Sequence, residues 1–358
     1  MKKILSGALG ALTLAATPAW AQSGVTIGGI ADAAARQVNN EGRDAVRSLV
    51  SGSNSTSRLI VRGTEELGHG LSAGFFLEHG LLLDSGAQAT AALFWDRRAT
   101  LSLVSKTLGE VRAGRDFVPT YSNWSRYDPF SYVGVAGSNN LISATPNGPI
   151  RAAFGSGLNS TVRSSNSIQW LMPSGWGGIE GGVMLAAGEG GTAANGQHKV
   201  IGARLGYAAA SWGVSAATAR SQNDLTTAGK FSDHAVGGTA NFGVVRVSAA
   251  WRRFEQNLAQ QTNLLLGAWV PVGVGEIKLS WNRVDLAGRV GATVIDANDA
   301  RQLGLGYVHN LSKRSALYGT LSRIDNSGAA TFVVPGGASG LAGGGASKGI
   351  ELGIRHTF

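Results

Sequence analysis

The feature that most constrains this chain is an alternation of apolar and polar residues with a period of two, repeated in short segments along its length. In residues 245–252, Val, Val, Ala and Trp alternate with Arg, Ser, Ala and Arg. The last segment sets Ile350, Leu352 and Ile354 against charged or small neighbours. This period is typical of β-strands with one apolar and one polar face. The sequence therefore predicts an all-β protein.

The pattern predicts sixteen strands, and the connections between them alternate in length. The predicted strands are 24–34, 56–66, 71–84, 93–104, 109–117, 161–171, 178–189, 198–209, 211–221, 233–242, 243–254, 263–271, 275–285, 301–310, 314–325 and 348–358. The long connections are 35–55, 85–92, 118–160, 190–197, 222–232, 255–262, 286–300 and 326–347. Short turns join the other pairs, as expected of an up-and-down barrel with turns at one rim and loops at the other.

Glycine content and hydropathy argue against helices. The chain contains 53 Gly in 358 residues, and each Gly inside a helix costs about 1 kcal/mol relative to Ala. Beyond the N-terminus, the most apolar run, 264–275, is interrupted by Pro271 and is shorter than the ~20 residues of a spanning helix. A disulfide framework is excluded because the chain has no Cys. If the chain spans a membrane, it does so with strands.

Residues 1–21 have the layout of a secretory signal peptide. Two lysines follow Met1, and an uncharged apolar stretch leads to a small-residue cleavage site that ends at Ala21. Cleavage would leave residues 22–358 as the barrel domain and would lower the formal net charge from +9 to +7. An exported chain with these strands predicts a closed 16-stranded antiparallel transmembrane β-barrel, apolar outside and polar around a water-filled lumen.

Several segments, in order along the chain, carry a resemblance to a known family. They are 25–27 with Asp32 and Ala33, 57–71, 109–115 followed by 128–130, 305–318 and 353–358. Together they resemble Gram-negative trimeric general porins, particularly the beta-proteobacterial type. The resemblance implies a homotrimer in the lipids of the outer membrane, with short periplasmic turns, long extracellular loops and a third loop folded into the lumen. It also implies that the barrel-assembly machinery reads the terminal Phe358.

The longest connection, 118–160, is the predicted constriction loop. It follows the fifth predicted strand, where the porin family places its lumen loop, and loops of this length tend to be functional. Its aromatic residues are expected to pack on the barrel wall. Asp128 in the loop and Asp116 just before it are expected to supply the acidic side of a transverse field.

The basic side of that field is expected on the inner wall. Strand parity turns the following side chains inward: Arg58, Arg62, Arg112, Arg163, Arg204, Arg246, Arg252 and Lys278. The resemblance points to Arg58 and to one of Arg97 and Arg98. Lipid-facing leucines at 101 and 103 favour Arg98, whereas motif alignment favours Arg97, and both alternatives stay open. Arg151, near the end of the loop, is a further candidate.

A pore with excess fixed positive charge concentrates anions and repels cations. The sequence therefore predicts a passive channel for small hydrophilic solutes and ions, weakly selective for anions. The alternative is a substrate-specific channel that binds one anionic nutrient. A third class, an adhesin or structural barrel, would have a closed lumen and no conductance.

Other functions find little support in the sequence. Residues 70–74 fit a hydrolase nucleophile-elbow pattern, but that motif needs a strand-to-helix turn and here falls in a hairpin. The six His residues show no metal-ligand spacing, and no phosphate-binding loop is found. We therefore expect no enzymatic activity, metal or cofactor. Nucleic-acid binding is not expected either, because the basic residues are scattered and the chain is exported.

Overall fold

The computed structural model describes residues 24–142, 148–155, 159–188, 198–222 and 229–358 of this chain. The predicted signal peptide, residues 1–21, lies outside the described residues. Among the residues described, none of the helices has the length and apolar character needed to cross a bilayer.

Eighteen β-segments of the described chain join into one antiparallel sheet. They are β1 (Gly24–Asn40), β2 (Val46–Ser51), β3 (Arg58–Gly68), β4 (Leu71–Gly80), β5 (Arg98–Ser105), β6 (Gly109–Phe117), β7 (Arg163–Leu171), β8 (Ile179–Ala186), β9 (Lys199–Ala208), β10 (Trp212–Gln222), β11 (Lys230–Asn241), β12 (Arg246–Gln256), β13 (Ala259–Val272), β14 (Gly275–Val290), β15 (Thr293–Val294), β16 (Ala300–Asn310), β17 (Ser315–Asn326) and β18 (Ala346–Thr357). Two short helices, α1 (Pro119–Trp124) and α2 (Pro149–Phe154), lie between β6 and β7.

In the described chain, these segments form a closed barrel with sixteen strand positions around its circumference. β2 and β3 pair with successive halves of β1 and together occupy one strand position. β15 only folds back on the end of β14. β18 pairs with β1 from Ile30↔Thr357 to Asn40↔Ser347, which closes the cylinder. The prediction of a closed sixteen-stranded antiparallel barrel is confirmed.

Some predicted boundaries were wrong where pairing extends or ends unexpectedly. β1 continues to Asn40 because its upper half pairs with β2, which lies inside the predicted long connection 35–55. β14 likewise continues to Val290. β4 stops at Gly80 rather than at residue 84, since the Asp96 carboxylate accepts a hydrogen bond from the Gly80 amide at 2.7 Å in place of a strand partner.

The outer surface carries the apolar residues of the alternating pattern. Leu101 is 66% exposed and Leu352 is 63% exposed, as a lipid-facing wall requires and a soluble core does not. Exposed aromatic side chains gather near the short-turn rim: Trp170, Trp176, Tyr207, Trp212, Phe242, Tyr307 and Phe358. Amphipathic rings of this kind favour the level of the lipid headgroups.

Candidate constriction site

The connection between β6 and β7 is tied to the inside of the barrel wall. Tyr127 shares a 2.6 Å hydrogen bond between its hydroxyl and Ser215 Oγ, and Ser248 Oγ donates to the Tyr127 carbonyl, also at 2.6 Å. Further along, Gln302 Nε2 donates to the Val135 carbonyl at 2.9 Å. These bonds run from β10 to β16, so the described part of the loop lies within the cylinder.

Packing fixes the loop as well. Trp124, Tyr127 and Tyr132 are buried against wall residues such as Phe254 and Leu265. This agrees with the expectation that the loop aromatics pack on the wall.

Wall glycines make room for this packing. A Cβ at Gly237 on β11 would clash with the Tyr127 ring. One at Gly306 on β16 would lie 2.8 Å from Phe130 Cε1. Part of the high glycine content therefore allows close approach of the loop to the strands.

Asp128 organises the loop from within. It is 3% exposed, and its carboxylate accepts hydrogen bonds from the backbone amides of Phe130, Tyr132 and Ser138 at 2.8 to 3.0 Å. The Ser138 hydroxyl adds a fourth bond at 2.6 Å. The expectation that Asp128 faces the lumen as part of an acidic side was therefore wrong, because the unpaired loop amides use its carboxylate.

The open space lies between the loop and the wall formed by β3 to β7. The cavity there, which is the part of the lumen discussed below, has a volume of about 890 Å³. Its charged lining residues are five arginines and two carboxylates: Arg58, Arg97, Arg115, Arg126, Arg163, Glu78 and Asp96. The lumen therefore carries an excess of positive charge, and four of the arginines lie on the wall side.

Two of the wall arginines share one carboxylate. Glu78 on β4 accepts from Arg97 Nε at 2.6 Å, and Arg58 Nε lies 3.4 Å from the same oxygen. One charge of this triad is therefore uncompensated. Arg97 reaches the lumen from just before β5, while Arg98 lies directly opposite Glu78 across the β4–β5 ladder. Both arginines thus point inward, so the choice between Arg97 and Arg98 is not required.

Arg163 and Arg115 extend the cluster without a carboxylate partner among the described residues. Arg163 Nε donates to the Arg97 carbonyl at 2.8 Å, and its guanidinium lies 4.4 Å from the centre of the Phe117 ring. Arg115 donates to the Asp96 carbonyl at 2.7 Å and to Ser165 Oγ at 2.9 Å. Hydrogen bonds to carbonyl and hydroxyl oxygens orient these guanidinium groups but leave their charge uncompensated.

The sequence pattern missed Arg115 because the strand pairing beside it is irregular. The β6–β7 register shifts between Gly114 and Asp116, where Ser165 and Asn166 of β7 lie opposite the single residue Arg115 of β6, and such a β-bulge bends the pairing locally. Gly114 has φ of 128°, and a Cβ there would overlap the Ala99 carbonyl. The sequence signal is a glycine directly before Arg115, near the end of the predicted strand 109–117.

A second group of charges, balanced within itself, lies beside the lumen on the same wall. Asp116 accepts from Arg112 NH1 at 2.6 Å and lies 3.5 Å from Arg98 Nε. Arg112 also pairs with Glu110 at 2.8 Å. Asp116 was expected to oppose the arginines across the channel. It lies instead on the arginine side and is neutralised there.

The remaining predicted residues lie away from the cluster. Arg62 is exposed on β3, directly opposite Phe76 and four residues nearer the short turn than Arg58. Arg151 is exposed on α2 and does not line the lumen. Arg252 is fully buried in an ion pair with Asp233 at 2.7 Å, so it supports the loop instead of lining the channel.

The loop face of the lumen is mostly neutral. It shows hydroxyl and amide groups of Tyr121, Ser122, Ser125, Ser131 and Asn139. Burial raises the pKa of the Tyr121 phenol, so the group stays protonated at neutral pH. The charged exception is Arg126, which pairs with Glu180 on β8, a carboxylate that Arg204 also contacts. The structure therefore replaces the expected acid-against-base field with a basic wall that faces a polar, neutral loop.

These features define a transmembrane β-barrel with a constricted, water-accessible and basic lumen. In the part of the chain that the structure describes, no three His, Cys, Asp or Glu side chains are grouped to hold a metal ion. A charged ring in an aqueous pore is a selectivity device. The class of protein that this fold and site define is a channel-forming barrel.

Comparisons with known proteins place the chain within that class. A family model described as Gram-negative porin matches residues 8–329. Outer membrane porin protein 32 of Delftia acidovorans is 36% identical over 369 aligned residues, which cover 97% of this chain and 98% of the relative. A solved structure titled anion-selective porin from Comamonas acidovorans is 34% identical, with a TM-score of 0.80. The alignment covers 94% of this chain and 100% of the chain in that structure.

A more distant structure shares the fold alone. OmpT of Vibrio cholerae, solved with loop L8 deleted, is 13% identical, with a TM-score of 0.65 over 94% of this chain and 99% of its own. The family match and the full-length relative are sufficient for assignment. This chain belongs to the Gram-negative porin family and is an outer-membrane porin, a passive diffusion channel.

Proposed function

We propose that this porin passes small hydrophilic solutes and ions with a weak preference for anions. The observation that carries the proposal is the lumen lining, in which five arginines outnumber two carboxylates. The anion-selective porin from Comamonas acidovorans, 34% identical over nearly the whole chain, supports the same direction. Chemically, the lumen attracts anions by net charge and offers guanidinium donors that replace part of their hydration.

Of the residues named from sequence, Arg58, Arg97 and Arg163 carry the preference in this proposal, and Arg115 joins them. All four line the same lumen. Arg98 and Arg112 belong to the balanced group with Glu110 and Asp116 and contribute little net charge. Arg62 and Arg151 act as solvated charges outside the narrow region.

The test is the zero-current potential of purified channels in a planar bilayer under a KCl gradient. A potential with the sign of chloride permeation is expected. A potential with the sign of potassium permeation would reject the proposal. Conductance that saturates and is blocked by one particular anion would instead favour a substrate-specific channel, whereas a general channel gives conductance proportional to salt.

We also propose that the chain is made with a cleaved signal peptide at residues 1–21 and assembles as a homotrimer. The barrel-assembly machinery would read the terminal Phe358. In the closed barrel, Phe358 is held by two backbone hydrogen bonds to Gly29, at 3.0 and 3.1 Å, and its ring is half exposed at the rim. Deleting Phe358 should lower the yield of assembled porin in outer-membrane fractions, with signal-peptide cleavage unchanged. An unchanged yield of trimer would refute the role.

A further inference from the structure

A buried ion pair on the inner wall of the barrel has contacts that the description of the lumen does not use. Asp233 on β11 and Arg252 on β12 are 2% and 0% exposed. Arg252 Nε donates to Asp233 Oδ1 at 3.0 Å, and Arg252 NH2 donates to Asp233 Oδ2 at 2.7 Å. Two parallel hydrogen bonds of this kind hold both side chains in one orientation.

Each member of the pair is also hydrogen-bonded to one end of the constriction loop. At the start of the loop, the Thr120 hydroxyl donates to Asp233 Oδ2 at 2.6 Å. At its end, Arg252 NH2 donates to the Thr161 carbonyl at 2.7 Å. A single ion pair therefore binds both ends of the loop, although these ends are about forty residues apart in the chain.

The pair lies away from the strands that the loop connects. The loop leaves β6 and returns to β7, whereas β11 is the fourth strand after β7 around the barrel. The two ends run side by side, since the Val118 amide donates to the Val162 carbonyl at 3.0 Å, and Val118 packs on Met184 of β8 and Val200 of β9. The base of the loop therefore follows the inside of β8 to β12, and the arginine-lined cavity beside β3 to β7 stays open.

Stability alone does not account for two charges at this place. The free energy needed to remove a buried ion pair from water roughly offsets the attraction between its members, and apolar side chains of similar volume often stabilise a protein equally well. Apolar contacts are not directional, so they allow the loop to slide along the wall. The hydrogen bonds to Thr120 and Thr161 are directional, and they fix where the base of the loop lies.

We propose that Asp233 and Arg252 are positioning residues that set the width of the channel by holding the base of the constriction loop against β8 to β12. Without the hydrogen bonds to Thr120 and Thr161, the base of the loop moves toward β3 to β7 and the cavity narrows. The proposal rests on the channel activity of the porin and not on its anion preference, because pore width affects the current whichever ion carries it.

The experiment compares two test variants of the full-length porin with one matched control. D233L/R252M removes both charges together, so that neither is left buried without its partner. T120V removes one hydroxyl and leaves the ion pair intact. The control is T218V on the outside of β10, where the Thr218 hydroxyl shares a 2.9 Å hydrogen bond with His234. The measurements are single-channel conductance in planar bilayers, the largest polyethylene glycol that enters the pore, and thermal unfolding.

D233L/R252M should unfold at nearly the same temperature as the unmodified porin, while its open-channel conductance falls, brief closures become frequent and the largest admitted polyethylene glycol becomes smaller. T120V should show the same changes to a smaller degree, because Arg252 still binds Thr161. T218V should conduct like the unmodified porin. Normal conductance and size exclusion in T120V, or an equal loss of conductance in T120V and T218V, would overturn the proposal, whether or not D233L/R252M assembles.

An engineered disulfide separates the position of the loop from the stability of the barrel. The hydroxyls of Ser160, at the end of the loop, and Ser221, on β10, share a hydrogen bond, so S160C/S221C places two thiols within bridging range in a chain that has no Cys of its own. Added to D233L/R252M or to T120V, the oxidised bridge should restore conductance and size exclusion, and reduction should remove the recovery. If mass spectrometry shows the bridge formed and the defect remains, the pair does not act through the position of the loop, and the proposal is wrong.

Discussion

The shared carboxylate of Glu78 gives the sharpest test of how the lumen selects ions. Glu78 lies 2.6 Å from Arg97 and 3.4 Å from Arg58, so Arg97→Gln removes one positive charge and Glu78→Gln removes one negative charge at almost the same place. We expect the first substitution to lower the ratio of chloride to potassium permeability and the second to raise it. The double variant restores the original net charge and should return close to the original ratio.

The size of the effect follows from the lumen dimensions. A volume of 890 Å³ corresponds to a sphere with a radius of about 6 Å. Two unit charges about 6 Å apart in water interact by about 0.7 kcal/mol, which a Debye length of about 10 Å at about 0.1 M salt reduces to about 0.4 kcal/mol. That free energy enriches one ion about twofold and depletes the other about twofold, so each substitution should change the permeability ratio about fourfold.

The assay is the zero-current potential in planar bilayers, repeated at low and high salt. Arg220→Gln is the control, since it removes the same charge from the lipid-facing side of β10, and it should leave the ratio unchanged. At about 1 M salt, where the Debye length is about 3 Å, the differences should nearly disappear. The reasoning is refuted if Arg220→Gln shifts the ratio as much as Arg97→Gln, or if the double variant does not return toward the original value.

Three further substitutions test the loop and its surroundings. Asp128→Asn should lower thermal stability, because each hydrogen bond to a charged group contributes about 1.5 to 3 kcal/mol, with no gain in anion selectivity; a gain without destabilisation would place Asp128 at the lumen. Gly237→Val should destabilise the protein by about 1 to 3 kcal/mol and alter single-channel conductance by displacing Tyr127, while Gly238→Ala, whose Cβ would approach Val214 instead, should conduct normally. Arg151→Gln should leave the permeability ratio unchanged, and a shift near fourfold would return Arg151 to the constriction.

The barrel was predictable because its physical constraint is repeated along the whole sequence. Each strand must present an apolar side to lipid and a polar side to water, and every backbone group must find a partner in the sheet. The period of two reflects the need for one apolar and one polar side, and the alternating connections reflect the pairing of each strand with its neighbours. β2 and the extension of β1 were missed because neither segment carries a strand pattern of its own. The extension of β1 is a strand because it pairs with β2 on one side and with β18 on the other.

The site residues were predictable only where the alternation of inward and outward side chains along a strand is regular. Arg58 lies on a regular part of β3, so the pattern placed it correctly on the inner face. Arg163 was also assigned inward and lines the lumen, although a β-bulge separates it from most of β7. Arg115 was missed because the pairing is irregular at that point: β7 has an extra residue opposite it, and Gly114 just before it has a positive φ. Asp128 was assigned to the lumen by its charge alone, and no local pattern shows that three loop amides use its carboxylate.

The sequence by itself determined the strand number, the inside and outside of the wall, and the excess of basic residues. These follow from composition and local periodicity, which lipid and water impose on every strand separately. Only the tertiary structure decided which charges are compensated. Whether a charge remains uncompensated depends on distances between segments far apart in the chain: Arg97 and Arg58 share one carboxylate, while Asp116 neutralises arginines on its own wall. The field in the lumen is the sum of those pairings.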